Sequence, residues 1–504
     1  MRAPARFLSV FSIALVVALA FFLIPAITDS GQRASADGPY TLIYYDGHMH
    51  TTRSDGNGSV ASIKATAQAR GLSAVIVTDH CKDLTLAEWQ SLIADTAAAT
   101  DANFIALPGF EMTGSEGIFN RGHMNAYNVS DPFVGDDSLE QCPEDLWPDP
   151  PNPAGTGANA ASLTAWAEYA HSQGGLAQHN HTSGSTQPGY GVDLIEVYNQ
   201  GHVDDIMGYA KLLGYPDDLA LQFALVLNNL SLYGERDLGM LVPFPGLPDP
   251  IPLRMVVYQA TLALTGVGQW LGSPQAPLNS WDALLMDYVQ GTSNTVPFGT
   301  ANSDDHNTAN PESKVGLAKN GLLVTELTPA AIYEAIGAGR MFATTGPSLA
   351  LDVNGALMGE TFFTGIGAPA HLTLSANSES PTAVLVKIDI IKDGEILQTI
   401  NPMSSAYSGT IDDTVPGEGY YRVEVTSLDM ATSMYHFAYS NPVFFNVYGG
   451  TVGGTVDLRE GTSPSSASAP DAGSPPYVPL AAAAAVAVLT IAGGTWYARR
   501  RWAK

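Results

Sequence analysis

The sequence predicts an α/β domain on a parallel sheet or barrel, followed by a β-sandwich. Three observations predict it. From about Tyr40 to Leu327, short apolar runs alternate with helical patterns, as parallel strands joined by helical crossovers do. His and carboxylate residues recur at the C-terminal ends of those runs, the end where barrel sites are assembled. From Leu349 to Tyr448 the pattern becomes β throughout, as in a sandwich.

Taken in order, Arg2 and Arg6 precede the apolar run Phe7–Ile27, and Ala34-Ser35-Ala36 follows. Residues 1–36 are expected to be a signal peptide with an A-x-A cleavage site, an uncleaved anchor being the alternative. Leu42–Tyr45 reads as a strand running into Asp46-Gly47-His48. Ser59–Arg70 reads as a helix, with Ser59 as N-cap and Gly71 as its stop. Ala74–Val77 is a buried strand ending at Thr78-Asp79-His80, and Phe104–Leu107 leads to Glu111. Met124–Val129 follows His123, and the helix Ala161–His171 is followed by Leu176–Gln178 and His179. Leu194–Tyr198 and Pro297–Ala301 are further strands, the second entering Ser303-Asp304-Asp305-His306.

Between Gly201 and Asn294 the pattern turns apolar and helical (Tyr209–Leu213, Leu219–Leu227, Leu253–Leu271) around the Pro-rich Pro243–Pro252. It reads as a helical insertion at about 201–294, a packing subdomain more than a membrane-facing lid, since most of it lacks a polar face. Pro329–Gly337 is a helix and Arg340–Pro347 a turn-rich junction that closes the first domain, 40–347. The β-domain, 348–448, contains Leu349–Val353, Ala370–Ser375, Ala383–Ile390, Tyr420–Thr426 and Pro442–Val447. Residues 449–476 are rich in Gly, Ser, Pro and Thr and read as a flexible linker. Tyr477–Ala498 is long and apolar enough for a transmembrane helix. Arg499, Arg500, Arg501 and Lys504 follow in a basic tail, 499–504, so the tail is expected in the cytoplasm and the body at the cell surface, single-pass anchored.

Composition narrows the chemistry. The 504 residues carry a formal net charge of -27, with only 14% charged residues. Binding to a phosphate backbone needs Lys and Arg, so no nucleic acid partner is expected. A solvated acidic surface accounts for most of the carboxylates. Cys81 and Cys142 are the two cysteines, too few for a thiolate zinc site. A disulfide between them is open at this stage, as is a thiolate contact to metal at Cys81, though a small buried hydrophobe is the commoner fate.

The histidines are concentrated. Nine of eleven lie between His48 and His306, and of those only His171 and His202 belong to no motif. His171 reads as a helix-end cap and His202 as loop surface. His48 and His50 stand two apart, so on extended chain both rings point the same way and can share an ion. A lone H-x-H is equally two surface histidines. Asp55 follows in a turn, Ser54-Asp55-Gly56, that can aim a carboxylate back. The run Asp55–Ser59 faintly resembles a calcium loop but fails as an EF-hand, with Val60 and Thr66 at the sixth and twelfth positions. His80 ends a buried strand, where an imidazole costs desolvation unless paired or metal-bound. Asp79 beside it is a candidate to orient a ligand. Glu111, His123, the pair His179 and His181, and the pair Asp304 and His306 complete the set. Nine ligands (His48, His50, Asp55, His80, Glu111, His123, His179, Asp304 and His306) exceed one tetrahedral ion and suggest two or three. Imidazole and carboxylate without thiolate suit zinc, manganese or iron.

The ordered motifs His48-x-His50-x4-Asp55-Gly56, Thr78-Asp79-His80, Gly109-x-Glu111, His123, His179 and Ser303-Asp304-x-His306 resemble the PHP (polymerase and histidinol phosphatase) superfamily over Tyr40–Leu327. Gly339–Pro347 with the β-domain after it is similar to the CehA/McbA (carbaryl-hydrolase-like) branch. The resemblance implies a distorted (β/α)7 barrel with a trinuclear site and a metal-bridging hydroxide as nucleophile. Under it His48, His50, Glu111 and Asp304 would hold one ion, Asp55, His80 and Glu111 a second, and His123, His179 and His306 a third. The pattern departs after His179, where the family usually has Pro and this chain has Asn180-His181. His181 is then an extra ligand, a proton donor to the leaving group, or a neutral change.

The expected activity is metal-dependent hydrolysis of a small-molecule phosphoester, with Glu111 bridging, and Arg53 and Arg340 as candidate anion clamps. Hydrolysis of a carboxylic or carbamate ester at the same site, or a non-catalytic surface binding protein with structural metals, are the alternatives.

Overall fold

The computed structural model describes residues 39–112, 123–130, 160–180, 191–201, 203–204, 241–242, 251–252, 281–309, 311–432 and 434–447. The expected signal peptide, linker, transmembrane helix and basic tail lie outside them, as do the helices expected in the insertion and His181, His202 and Cys142. No helix among the described residues is long and apolar enough to cross a membrane.

The architecture is mixed α/β, with one large sheet and few helices. Strands β1 (Thr41–Asp46), β2 (Ala74–Val77) and β3 (Ile105–Met112) pair in parallel. Helix α1 (Val60–Ala69) lies between the first two and α2 (Leu86–Ala99) between the next. Each helix begins where its sequence supplies reciprocal caps. Ser59 accepts from Ser62 N, and Thr85 from Glu88 N, while the Ser62 and Glu88 side chains reach back. Beyond β3 come β4 (Met124–Tyr127), helix α3 (Ala160–Ser172), β5 (Leu176–His179) and β6 (Leu194–Asn199). A two-stranded pairing of β7 (Leu241–Val242) with β8 (Ile251–Pro252) stands apart. Helix α4 (Trp281–Val289), β9 (Phe298–Asn302), β10 (Lys319–Val324), α5 (Pro329–Gly337) and β11 (Met341–Thr344) follow.

The sheet is not parallel throughout, as alternation alone predicts. β4 runs antiparallel to both β3 and β5. β3 also runs on past Leu107 through Glu111, which therefore sits inside a strand. Residues expected to form a turn-rich junction instead include β11, a buried strand between β10 and β20 (Met434–Ser440). Its Met-Phe-Ala-Thr run is apolar enough to be buried, and the turns are confined to Gly339, at φ 67°, and Gly346-Pro347.

Both faces of the central strands are covered, as continuous apolar runs require. On β2, Ala74 and Ile76 face one core with Trp281, Leu285 and Ile336. Val75 and Val77 face the other, with Ile63, Trp89 and Trp166. The remaining strands are β12 (Ser348–Val353), β13 (Ala356–Leu357), β14 (Thr361–Thr364), β15 (Pro369–Asn377), β16 (Ala383–Lys392), β17 (Glu395–Ile400), β18 (Ala406–Thr414), β19 (Gly419–Asp429) and β21 (Val443–Val447). Four of them form the sheet β13-β12-β15-β18. It shares a third core, including Leu351, Leu374, Ile388, Val425 and Phe445, with the arm β14-β21-β19-β20 of the large sheet. The large sheet continues β11-β10-β1-β2-β3-β4-β5-β6-β9. At its far end the chain beyond β9 returns to the chain beyond β1: Met49 bridges Asp305 in parallel, and Asp304 N donates to His48 O at 2.9 Å.

Candidate metal centre

The site is built where these strands end. Met49 is fully buried and joins the second core, so His48 and His50 on either side point away from it. Buried Asp46 ties the surrounding loops together: Oδ1 accepts from Ser303 N at 3.1 Å and His48 N at 3.4 Å, and Oδ2 from Gly316 N at 2.8 Å. Asp79 holds the loop carrying His50 and Asp55, accepting from Thr51 N at 2.6 Å, Thr51 Oγ1 at 2.8 Å and Ser54 Oγ at 2.8 Å. That loop passes so close to itself that a Cβ at Gly56 would lie 2.4 Å from the His50 carbonyl oxygen. Only glycine fits there. Asn57, in the calcium-like run, hydrogen-bonds Asn307 and the Ala309 backbone, and so braces the segment bearing His306. Asp304 sits at φ 50°, a left-handed conformation that non-glycine residues adopt at a cost and that concentrates at functional sites.

The ligand atoms converge on one carboxylate. Glu111 Oε2 lies 3.2 Å from His48 Nε2, 3.3 Å from His50 Nε2 and 3.3 Å from His80 Nδ1. Asp304 Oδ1 is 3.3 Å from both His48 Nε2 and His50 Nε2. Donor atoms about 2.1 Å from a common cation lie about 3.0–3.4 Å from one another, and the distances from Glu111 Oε2 and from Asp304 Oδ1 to His48 Nε2 and His50 Nε2 fall in that range. His50 Nε2 is buried and makes no hydrogen bond, as a lone pair kept for a cation would.

Three overlapping groups can hold an ion: His48, His50 and Glu111; His50, Asp55, His80 and His306; and His80, Glu111 and His123. Seven of the nine sequence candidates are in them, and Asp304 adjoins the first. The grouping differs from the one implied by resemblance at His306. Its Nε2 is 3.2 Å from Asp55 Oδ2, and neither His123 nor His179 is in its group. His179 ends β5, buried, and belongs to none of the three groups. Shared members tie the groups into a single cluster. His48, His50 and Glu111 are fully buried, whereas the side chains of Asp55 and His306 are 49% and 36% exposed, so the site opens on that side.

The electrostatics follow from this crowding. Burial alone would raise the Glu111 carboxyl, but the imidazoles of His48, His123 and His80 hold it well below the usual range. Burial opposes protonation of His306, yet Asp55 and Asp304 raise it to about 9. Asp55 is correspondingly depressed, with His306 and His80 outweighing its desolvation. Burial pushes Asp46 up to about 7 against its hydrogen bonds to Ser303, Gly316 and His48.

Other candidates have different partners. Arg53 donates to Ser91 and to Asp95, the latter at 2.5 Å. Arg340 pairs with Glu334 and stacks on Tyr40, 5.1 Å from the ring centroid. His171 pairs with Asp193 at 2.7 Å. Cys81 is disulfide-bonded, so it offers no thiolate to an ion. Reading by motif missed Glu196, whose Oε1 lies 3.1 Å from His48 Nδ1, and Asn180, whose side chain donates to Glu111 Oε1 at 2.8 Å. The available signal was a carboxylate inside an otherwise apolar strand, Leu194-Ile195-Glu196-Val197.

No family model matches the chain. A stretch of 153 residues is 27% identical to an uncharacterized protein of Chlamydia pneumoniae, covering 27% of this chain and 24% of that one. The chain thus matches about a quarter of that relative's length. Among solved structures, a two-domain protein from Bacteroides vulgatus, described as containing a predicted PHP-like metal-dependent phosphoesterase, is 15% identical, with 77% of this chain and 91% of that one covered and a TM-score of 0.32. A protein from Bifidobacterium adolescentis, described as a candidate metal-dependent phosphoesterase, is 16% identical over 41% of this chain and 89% of that one, with a TM-score of 0.21. An amidohydrolase from Chromobacterium violaceum is 18% identical over 33% and 81%, with a TM-score of 0.22. Scores this low establish neither fold nor chemistry for this chain.

Proposed function

We propose that the protein is a metal-dependent hydrolase of the PHP type, acting on a small-molecule phosphoester outside the cytoplasm. One observation carries the metal assignment: a single buried carboxylate oxygen, Glu111 Oε2, stands 3.2–3.3 Å from nitrogens of three histidines.

His48, His50, Glu111 and Asp304 would hold one ion. Asp55, His80 and His306 would hold another, with Glu111 and His123 on the remaining side. Zinc, manganese or iron suit these donors. Such ions supply Lewis acidity and lower the pKa of water. The protein's own contribution is positional. Glu111 fixes the spacing between groups, and Asp55 and His306 line the open side on which a substrate can approach. The return of the chain after β9 to the end of β1 supports a barrel-like closure around the site. The disulfide at Cys81 supports an oxidising compartment, in keeping with the leader and membrane anchor expected from the sequence.

A carbonyl-ester substrate is favoured by one observation: Arg53 and Arg340 are both engaged in ion pairs, leaving neither as an obvious phosphate clamp. Full-length protein assayed in parallel on aryl phosphates and aryl carboxylates separates the two readings. The proposal expects phosphate-ester turnover that a chelator abolishes and added Zn²⁺ or Mn²⁺ restores. Turnover that survives exhaustive chelation contradicts it.

A further inference from the structure

Beneath the ligands lies a buried set of amides and carboxylates that the motifs do not include. Glu196 Oε1 faces His48 Nδ1 at 3.1 Å and accepts from Asn302 Nδ2 at 3.0 Å, while Oε2 accepts from Asn199 Nδ2 at 2.7 Å. Asn199 Nδ2 also reaches Asp304 Oδ2 at 3.2 Å. On the other side, Asn180 Nδ2 donates to Glu111 Oε1 at 2.8 Å and to Asn125 Oδ1 at 2.9 Å. Gln178 Nε2 donates to Asn180 Oδ1 at 2.9 Å, and Gln178 Oε1 accepts from Thr300 Oγ1 at 2.8 Å and Asn302 Nδ2 at 3.4 Å. The set therefore runs unbroken from Glu111 through Asn180, Gln178, Asn302 and Glu196 to His48. All of these residues are at most 2% exposed. Its two ends, Glu111 and His48, are themselves 3.2 Å apart across the site.

A carboxylate can only accept hydrogen bonds. Facing Glu196, His48 Nδ1 must donate, and in the neutral imidazole Nε2 then keeps its lone pair on the side of Glu111 Oε2 and Asp304 Oδ1. The amides cannot rotate freely, because each has a donor on one side and an acceptor on the other.

We propose that Glu196 and Asn180 are positioning residues, which set the affinity of the His48, His50, Glu111 and Asp304 group for its cation by fixing His48 and Glu111 from behind. The inference rests on the metal reading above. It goes beyond it by assigning affinity to residues that touch no ion.

The test is metal titration of full-length wild type, Glu196→Gln, Asn180→Ala and the exposed control Glu395→Gln. Each is stripped with chelator and titrated with Zn²⁺ against a competing indicator, with Co²⁺ absorption as a second probe of ligand geometry. Glu196→Gln keeps the volume but turns an amide donor toward Asn199 or Asn302. Its affinity for the tightest ion should fall about 10- to 100-fold, with an altered Co²⁺ spectrum. Asn180→Ala should behave likewise, and Glu395→Gln as wild type. Should Glu196→Gln fail to fold, Asn199→Ala, which removes one donor and leaves the carboxylate, should show a smaller loss in the same direction. Wild-type affinity and spectrum in Glu196→Gln and Asn180→Ala, or in Asn199→Ala where it stands in, would overturn the proposal alone. A wild-type protein that takes up no metal would overturn the metal reading together with it.

Discussion

Asp304 and Gly56 illustrate how narrowly the site is specified. Asp304 accepts a left-handed backbone so that Oδ1 meets two histidine nitrogens at 3.3 Å. Replacing it by Asn keeps the shape and removes the charge. Asp304→Asn should lower hydrolysis at least about 100-fold and reduce bound metal, as elemental analysis beside a turnover assay would show. Unchanged metal and turnover would remove Asp304 from the site. Gly56→Ala puts a methyl group 2.4 Å from a carbonyl oxygen and should cost about 1–3 kcal/mol, measured by denaturant unfolding. The sequence made these residues legible because H-x-H and D-x-H at strand ends are chemical statements in themselves. It marks Glu196 only as a carboxylate within an apolar strand and Asn180 not at all, because the partners of both are distant along the chain. Nor did arginine near the motifs guarantee a clamp, since Arg53 finds Asp95 on α2 closer to hand.

Elements were readable wherever local chemistry sufficed. The Ser59 cap and the buried run Ala74–Val77 mark α1 and β2 within a residue or so of their observed limits. Helix α2 is not among the expected elements, although Thr85-Leu86-Ala87-Glu88 carries a capping box. Thr85→Ala should cost about 0.5–2 kcal/mol of stability and leave turnover per folded molecule unchanged, α2 lying behind the sheet. A loss of turnover without a loss of stability would contradict that. The antiparallel course of β4 and the strand character of Met341–Thr344 were not legible, because pairing direction depends on partners remote in sequence. β11 finds its partners in β10 and β20.

At the scale of the molecule, a buried ion network joins α4 to the C-terminal sheet. Arg422 binds Asp282 through two hydrogen bonds of 2.6 Å, adds one of 2.6 Å to Glu424, and lies 4.9 Å from the Trp281 ring centroid. Arg422→Met strands two buried carboxylates and should destabilise by about 3–5 kcal/mol; a thermal midpoint like that of the wild type would show the network to be dispensable.

Protons and cations also compete for the whole cluster. In metal-free protein His306 is raised from 6.5 to about 9, so its pairing with Asp55 is full below pH 6.5 and fades as pH rises through about 9. Asp55 is depressed, so its share is present above 3.8 and is lost on acidification. A cation must displace the His306 proton, so the rise in thermal midpoint caused by Zn²⁺ should grow between pH 6.5 and 9. A rise that shrinks over that range would contradict the placing of His306 beside an ion.

The most direct measurement is the metal-to-protein ratio of full-length wild type and His48→Ala, after loading with Zn²⁺ or Mn²⁺ and removal of excess. The cluster centred on Glu111 predicts more than one equivalent in the wild type and a clear deficit in His48→Ala. A wild type that retains no stoichiometric metal, or a variant that retains as much as the wild type, would contradict it.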